Sequence, residues 1–231
     1  MRSLRSVCSV VLAGMLAAGC NPFSSSADSS GDAGDSGGGT PLPVSITGPQ
    51  TDVVGRGDSD LLRIKPAPAA SAPVREKIEH ALREDVLSTV RVLGTTSATC
   101  AGGITMKAGA VSECVVTYQG VDVPYEVKIS DRYTDGAMVF SYTKKPTKGL
   151  LVAKVIYNLM NERYGAESGR TDASKLACDE LPAAKVIDFG SDTGYTCQYW
   201  TKYAKDGKPG YVTLKITMGK TSTSFGFDEV R

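Results

Sequence analysis

Histidine and tryptophan are almost missing from this 231-residue chain, which has one of each, His80 and Trp200, and an aromatic content of only 7%. A Ser-His-acid hydrolase would therefore have to be built on His80. That residue lies two positions from Ile78 in a helical pattern, which predicts a solvent-facing side chain. A zinc centre needs several His or Cys at ligand spacing, and the six cysteines contain no C-x-x-C. "AGGITMKAGA" lacks the GK[ST] ending of a phosphate loop. An excess of one charge is missing too: 26 basic residues face 25 acidic ones, so no electrostatic footprint for nucleic acid follows. No cofactor and no metal are expected. The chemistry left open is that of a carboxylate-only glycosidase, since any acidic pair can converge in space. The sequence reads as that of a non-enzyme.

What is present begins at the N-terminus. Arg2 and Arg5 precede an apolar segment, Val7 to Ala18, of about a dozen residues, well short of the roughly 20 needed to span a bilayer. Residues 1–19 read as a signal peptide. Leu16-Ala17-Ala18-Gly19-Cys20 resembles the lipobox of bacterial lipoproteins. That resemblance implies cleavage after Gly19 and a diacylglyceryl group on Cys20, with palmitate-type chains holding the protein to the extracytoplasmic face of the cell membrane. Two acyl chains anchor stably where one is marginal. Residues 21–40 are mostly Ser, Gly, Asp and Ala and cannot bury enough surface to offset ordering. With the Pro-rich "KPAPAASAP" they make residues 20–72 a flexible tether carrying at most a weakly docked strand. Arg56-Gly57-Asp58 within it reads as turn chemistry.

From residue 73 the chain acquires a helical period. Val74, Ile78, Ala81 and Leu82 form one apolar stripe, predicting a helix over about 73–87 with Pro73 in its first turn and Ser71 as cap. A second helix is expected over about 150–164, with Val152, Ile156, Leu159 and Met160 as its stripe and Gly165 as its stop. The two stripes are related by a constant offset of 78, which also relates Cys100 to Cys178; Cys114 maps to Cys197 at 83 and Lys128 to Lys215 at 87. A constant offset in a helix that grows through loops is the signature of a duplication. Cys8 leaves with the signal and Cys20 carries lipid, so four cysteines remain, which in an exported chain suggest two disulfides. They allow three pairings. The duplication selects Cys100 with Cys114 and Cys178 with Cys197.

After each helix the period becomes two. Cys114, Val116 and Tyr118 share a face, Gln119-Gly120 turns the chain, and the alternation continues from Val121 to Ile129, with a further strand over 137–142. The second half offers 196–203, an Asp206-Gly207 turn, 211–218 and 221–227. The predicted fold class is α+β: two tandem repeats, 73–145 and 146–231, each one helix packed on an antiparallel sheet of about four strands, with one disulfide per repeat.

Helix, cysteine, glycine (Gly109 or Gly190), second cysteine and β-meander together resemble a domain-of-unknown-function family found in actinobacterial lipoproteins and secreted proteins. Many members carry Pro after the first cysteine, where this chain has Ala101 and Asp179. The layout is also similar, at fold level, to that of the secreted β-lactamase inhibitory proteins. The family resemblance implies architecture and address but no activity. The expected function is that of a cell-envelope lipoprotein displaying two non-catalytic binding modules, with inhibition of an extracellular hydrolase, which the second resemblance implies, as the alternative and an envelope hydrolase behind it. The expected partners are the membrane, through the lipid, and an envelope protein or cell-wall component. The candidate contact residues are Trp200, on the sheet face opposite Cys197 and Tyr199, together with Lys202 and Tyr203; Gln198 is expected to be exposed beside them. "KKPTK" at 144–148 reads as a solvated linker between repeats.

Overall fold

The computed structural model describes residues 39–137, 139–220 and 224–230. The cleavage site and Cys20 lie outside them. The described chain is α+β, with two α-helices, three antiparallel sheets and disulfides joining Cys100 to Cys114 and Cys178 to Cys197. Among the described residues no helix is long and apolar enough to cross a membrane.

In chain order, β1 (Val44–Ile46) is followed by α1 (Val74–Val90), β2 (Thr96–Thr99), β3 (Val111–Tyr118), β4 (Val121–Ile129) and β5 (Tyr142–Pro146). Then come β6 (Gly149–Val152), α2 (Ala153–Tyr164), β7 (Ser174–Cys178), β8 (Ala184–Ile187), β9 (Asp192–Thr201), β10 (Gly210–Met218) and β11 (Phe225–Glu229). One sheet has the order β2-β3-β4-β5, another β1-β7-β9-β10-β11, and β6 pairs with β8. The period-two pattern sets their faces: Cys114, Val116 and Tyr118 of β3 and Val123, Tyr125, Val127 and Ile129 of β4 are buried, while alternate positions face out. Gln119 and Gly120 both adopt positive φ, 48° and 82°, the two-residue hairpin whose twist suits adjoining strands.

Two apolar cores result. Ile78, Leu82, Val86 and Val90 of α1 close over β3 and β4; Ile156 and Met160 of α2 close over Cys197, Tyr199, Leu214 and Ile216. Strand β6 separates them, sending Leu150 and Val152 to the first core and Leu151 to the second. This corrects the expected start of the second helix. Three consecutive apolar residues serving opposite cores need the alternation of a strand, since in a helix they would point only 100° apart. The helix begins at Ala153, and Val152 is not in its stripe. Leu159 is only partly buried.

Other expectations are also revised. Ser71 does not cap α1, whose N-cap position is Pro73 without a side-chain bond. Gly165 does end α2, but at φ −74°; a Cβ there would come within 2.4 Å of the Asn161 carbonyl, so the need for glycine is steric. The strand expected over 137–142 begins at Tyr142 and takes in Lys144 and Lys145, so "KKPTK" is largely β5 rather than linker. The strand expected over 221–227 runs Phe225–Glu229; residues 221–223 lie outside the description.

The largest revision concerns residues 41–72. They are a packed strap and not a tether. Strand β1 adds to the edge of β7, with Ile46 opposite Leu176; Val53 bridges Val92; Leu62 is 1% exposed in the first core. Ile64 donates its N–H to Glu84 (3.0 Å). Its two short apolar patches, separated by Pro and Gly, have no period of their own, so their partners are set by the surfaces they cross.

Candidate functional site

The strap crosses between the two cores and leaves a cleft of about 660 Å³. One wall is Val92, Leu93 and the Gln119 hairpin; the other is Val152, Ala153, Lys154 and Tyr157; the strap closes it with Gln50 to Gly55, Asp58 and Leu61. Leu61 and Leu93, 63% and 54% exposed, stand among these lining residues. The volume falls within the roughly 300–1,000 Å³ typical of small-molecule sites, and the mix of aliphatic walls with a few polar groups is the usual lining.

Arg91 makes three of the bonds that hold the strap there. Arg91, just past the end of α1, adopts left-handed backbone (φ 55°), a conformation that costs a non-glycine residue about 1–2 kcal/mol. From it the Arg91 carbonyl accepts the Val54 N–H (2.7 Å), and its guanidinium donates to the carbonyls of Val54 (2.8 Å) and Gly55. Lys154 of α2 pairs with Asp52 on the strap. Gln119 Nε2 lies 3.3 Å from the Tyr118 hydroxyl and 3.5 Å from the Leu93 carbonyl. The Tyr157 hydroxyl donates to the Asp179 carbonyl (3.1 Å) and accepts the Leu181 N–H (3.0 Å). Asp52, Lys154, Gln119 and Tyr157 are therefore pre-oriented by the fold.

The electrostatics beneath the first sheet are structural. The Tyr125 hydroxyl donates to Asp85 (3.2 Å), whose other oxygen meets Lys144 (2.9 Å); burial, then the Asp85 charge, raises the Tyr125 phenol well above its ordinary value. Burial pushes the Tyr118 phenol up to about 12, and its O–H donates to the Val92 carbonyl (3.1 Å).

Trp200 lies on the β9 face opposite Cys197 and Tyr199, as the alternation requires. It is half-buried, with the Lys175 ammonium 5.0 Å from its ring centroid. Gln198, expected to be exposed, is 4% exposed; it pairs across the sheet with Thr213 and Ala177, interior to a five-stranded sheet. Lys202 and Tyr203 are exposed in the β9–β10 turn rather than on the sheet face. His80 is half-buried against the strap, with Nε2 3.1 Å from the Ile64 carbonyl. A carbonyl only accepts, so Nε2 carries the proton. Helical phase could not anticipate this, because the strap covers the face that the phase leaves free.

At the positions after the first cysteines, Asp179 donates its N–H to the Thr196 carbonyl (2.9 Å) and its carboxylate accepts from the Thr196 N–H (2.6 Å) and hydroxyl (3.0 Å). A proline there would remove the first of these bonds. Sequence reasoning missed the cleft because its strap side was read as tether; the left-handed Arg91, a non-glycine after the end of a helix, left no sequence signal. No family model, no curated protein and no solved structure matches this chain.

Proposed function

We propose that this protein is a cell-envelope lipoprotein, anchored through Cys20 on the extracytoplasmic face, in which two duplicated α+β modules and the strap between them form a non-catalytic binding cleft. Duplication is supported by the matching strand orders β2-β3-β4-β5 and β7-β9-β10-β11, each with a preceding helix and one short-range disulfide. On this reading the modules are residues 73–145 and 146–231, dividing at the last residue of β5, and the similarity to the actinobacterial lipoprotein family belongs to it. The observation that carries the binding function is the cleft itself, lined by residues of both modules and of the strap, with Leu61 of the strap and Leu93 of the first wall left in water. Its occupant is a compact, mostly apolar group of another envelope component, oriented by Gln50, Gln119 and the Asp52–Lys154 pair.

The test is retention of envelope components by the immobilised intact chain beside its Leu93→Asp variant. Leu93 is exposed, so the variant should keep its melting temperature, and a component bound by the wild type should be lost. Equal retention by both proteins would move the function away from the cleft. Replacing Cys20→Ser should release the protein from membranes; continued membrane retention would end the anchor proposal.

A further inference from the structure

Strand β2 is an outer strand of its sheet, and its free edge borders a groove of about 480 Å³. The groove's other sides are Pro66 to Ala69 of the strap and Glu76, Glu79, His80 and Arg83 of α1. The phase of the ladder shows which groups face the groove. The Gln119 N–H donates to the Thr95 carbonyl (2.9 Å), so Thr95, Ser97 and Thr99 bond to β3, while Thr96, Ala98 and Cys100 turn their N–H and C=O outward. Of these, the Cys100 N–H is taken by Glu79 Oε1 (2.8 Å). Among the described residues the backbone groups of Thr96 and Ala98 have no partner on that side. Pro66 and Pro68 on the facing strap have no N–H to offer.

The second sheet shows what such an edge takes. The Asp179 N–H donates to the Thr196 carbonyl (2.9 Å), which leaves Leu176 and Cys178 facing outward; at the offset of 78 they correspond to Ala98 and Cys100. That edge is filled by β1, with Val44 opposite Cys178 and Ile46 opposite Leu176. The strap then continues to α2, where the Gln50 N–H donates to Asn158 Oδ1 (3.1 Å), Asn158 being the counterpart of His80. One helix-to-edge groove thus holds an extended strand of the chain itself, and the other, among the described residues, is open.

We propose that the open edge of β2 is a strand-addition site for an extended segment of a partner polypeptide, running antiparallel to β2 and bonding to Thr96 and Ala98. Main-chain bonds supply affinity in this mode, and side-chain pockets supply specificity. The partner's N-terminal end lies towards Cys100, near Glu76 and Glu79. Glu79 is already paired with Arg75 (2.8 Å), whereas Glu76 is exposed and, among the described residues, without an ion pair. A Lys or Arg at that end of the strand complements it. The site is separate from the cleft, with no lining residue in common.

The probe is a synthetic peptide of residues 41–49 carrying Val44→Lys, titrated into the intact chain with amide exchange followed residue by residue. Protection of the Thr96 and Ala98 amides is expected. The Ala98→Pro variant removes one outward N–H without touching the β2–β3 ladder, since proline is tolerated on an edge. It should weaken binding by roughly threefold to tenfold, the worth of one hydrogen bond. Glu76→Gln, at an exposed position where folding is not at risk, should weaken the Lys peptide and leave its Val44 parent unchanged. Thr96 and Ala98 amides that exchange freely at millimolar peptide would overturn the proposal. So would protection confined to Ser174–Cys178, or affinities unaffected by both substitutions.

Discussion

Leu61 and Leu62 are adjacent, chemically identical and placed oppositely: the first is exposed and the second lies in the first core. Truncating each to alanine tests whether the strap belongs to the folded unit. Removing a fully buried leucine side chain loses its transfer energy and leaves a cavity, together about 2–5 kcal/mol. Leu62 packs under a strap fixed at Arg91 on one side and Glu84 on the other, so collapse into the cavity is restricted and about 3 kcal/mol is expected. For a domain of this size each kcal/mol moves the melting temperature by about 2–4 °C. Leu62→Ala should therefore melt about 6–12 °C below wild type, whereas Leu61→Ala should stay within about 0.5 kcal/mol of it. Differential scanning calorimetry and urea unfolding would give both numbers. If the two variants melted together, the strap would not be part of the cooperative unit, and the cleft it closes would lose its third side. By the same reasoning a chain truncated at residue 71 should be strongly destabilised, having lost β1 and Leu62 together.

Arg91→Gly should be more stable than Arg91→Ala by about 1 kcal/mol, because glycine adopts the left-handed backbone without strain; both should lose exchange protection across 53–55, and equal stabilities would refute the strain argument. Replacing Cys178 and Cys197 together by alanine should cost roughly 3 kcal/mol on the chain-entropy estimate for a loop of sequence separation 19, read as a shift in the urea midpoint. Tyr118 titrates near 10 when unfolded and about 12 when folded. The protonated phenol is the form the fold favours, so its contribution is intact below pH 10 and declines as the pH rises towards 12. Tyr125 acts in the same direction. Urea midpoints taken from pH 8 to 12 should fall, and Tyr118→Phe should flatten the fall; an unchanged slope would show that Tyr118 is not responsible.

The hairpin at Gln119-Gly120, the faces of β3 and β4, the inward Cys197 and Tyr199 of β9, both helices and both disulfides were legible in the sequence, because each rests on local period, turn chemistry or a repeated spacing. Short polar β2 (Thr-Ser-Ala-Thr) carries no such pattern, and its existence depends on pairing with β3. The apolar run at 150–152 has a composition that suits either a helix or a strand, and only the presence of a core on each side decides for the strand. His80, Gln198 and the strap share one cause. Periodicity tells which face of an element is apolar, but what lies against the other face is a tertiary fact: the strap covers His80 through Ile64, and β7 and β10 flank Gln198. The sequence by itself determined the two helices, the β3–β4 hairpin with its inward face, and the cysteine pairing. The cleft, the left-handed Arg91 clamp and the contrast between a filled edge at β7 and an open one at β2 were decided by tertiary structure, because each depends on segments that meet only once the two cores have formed.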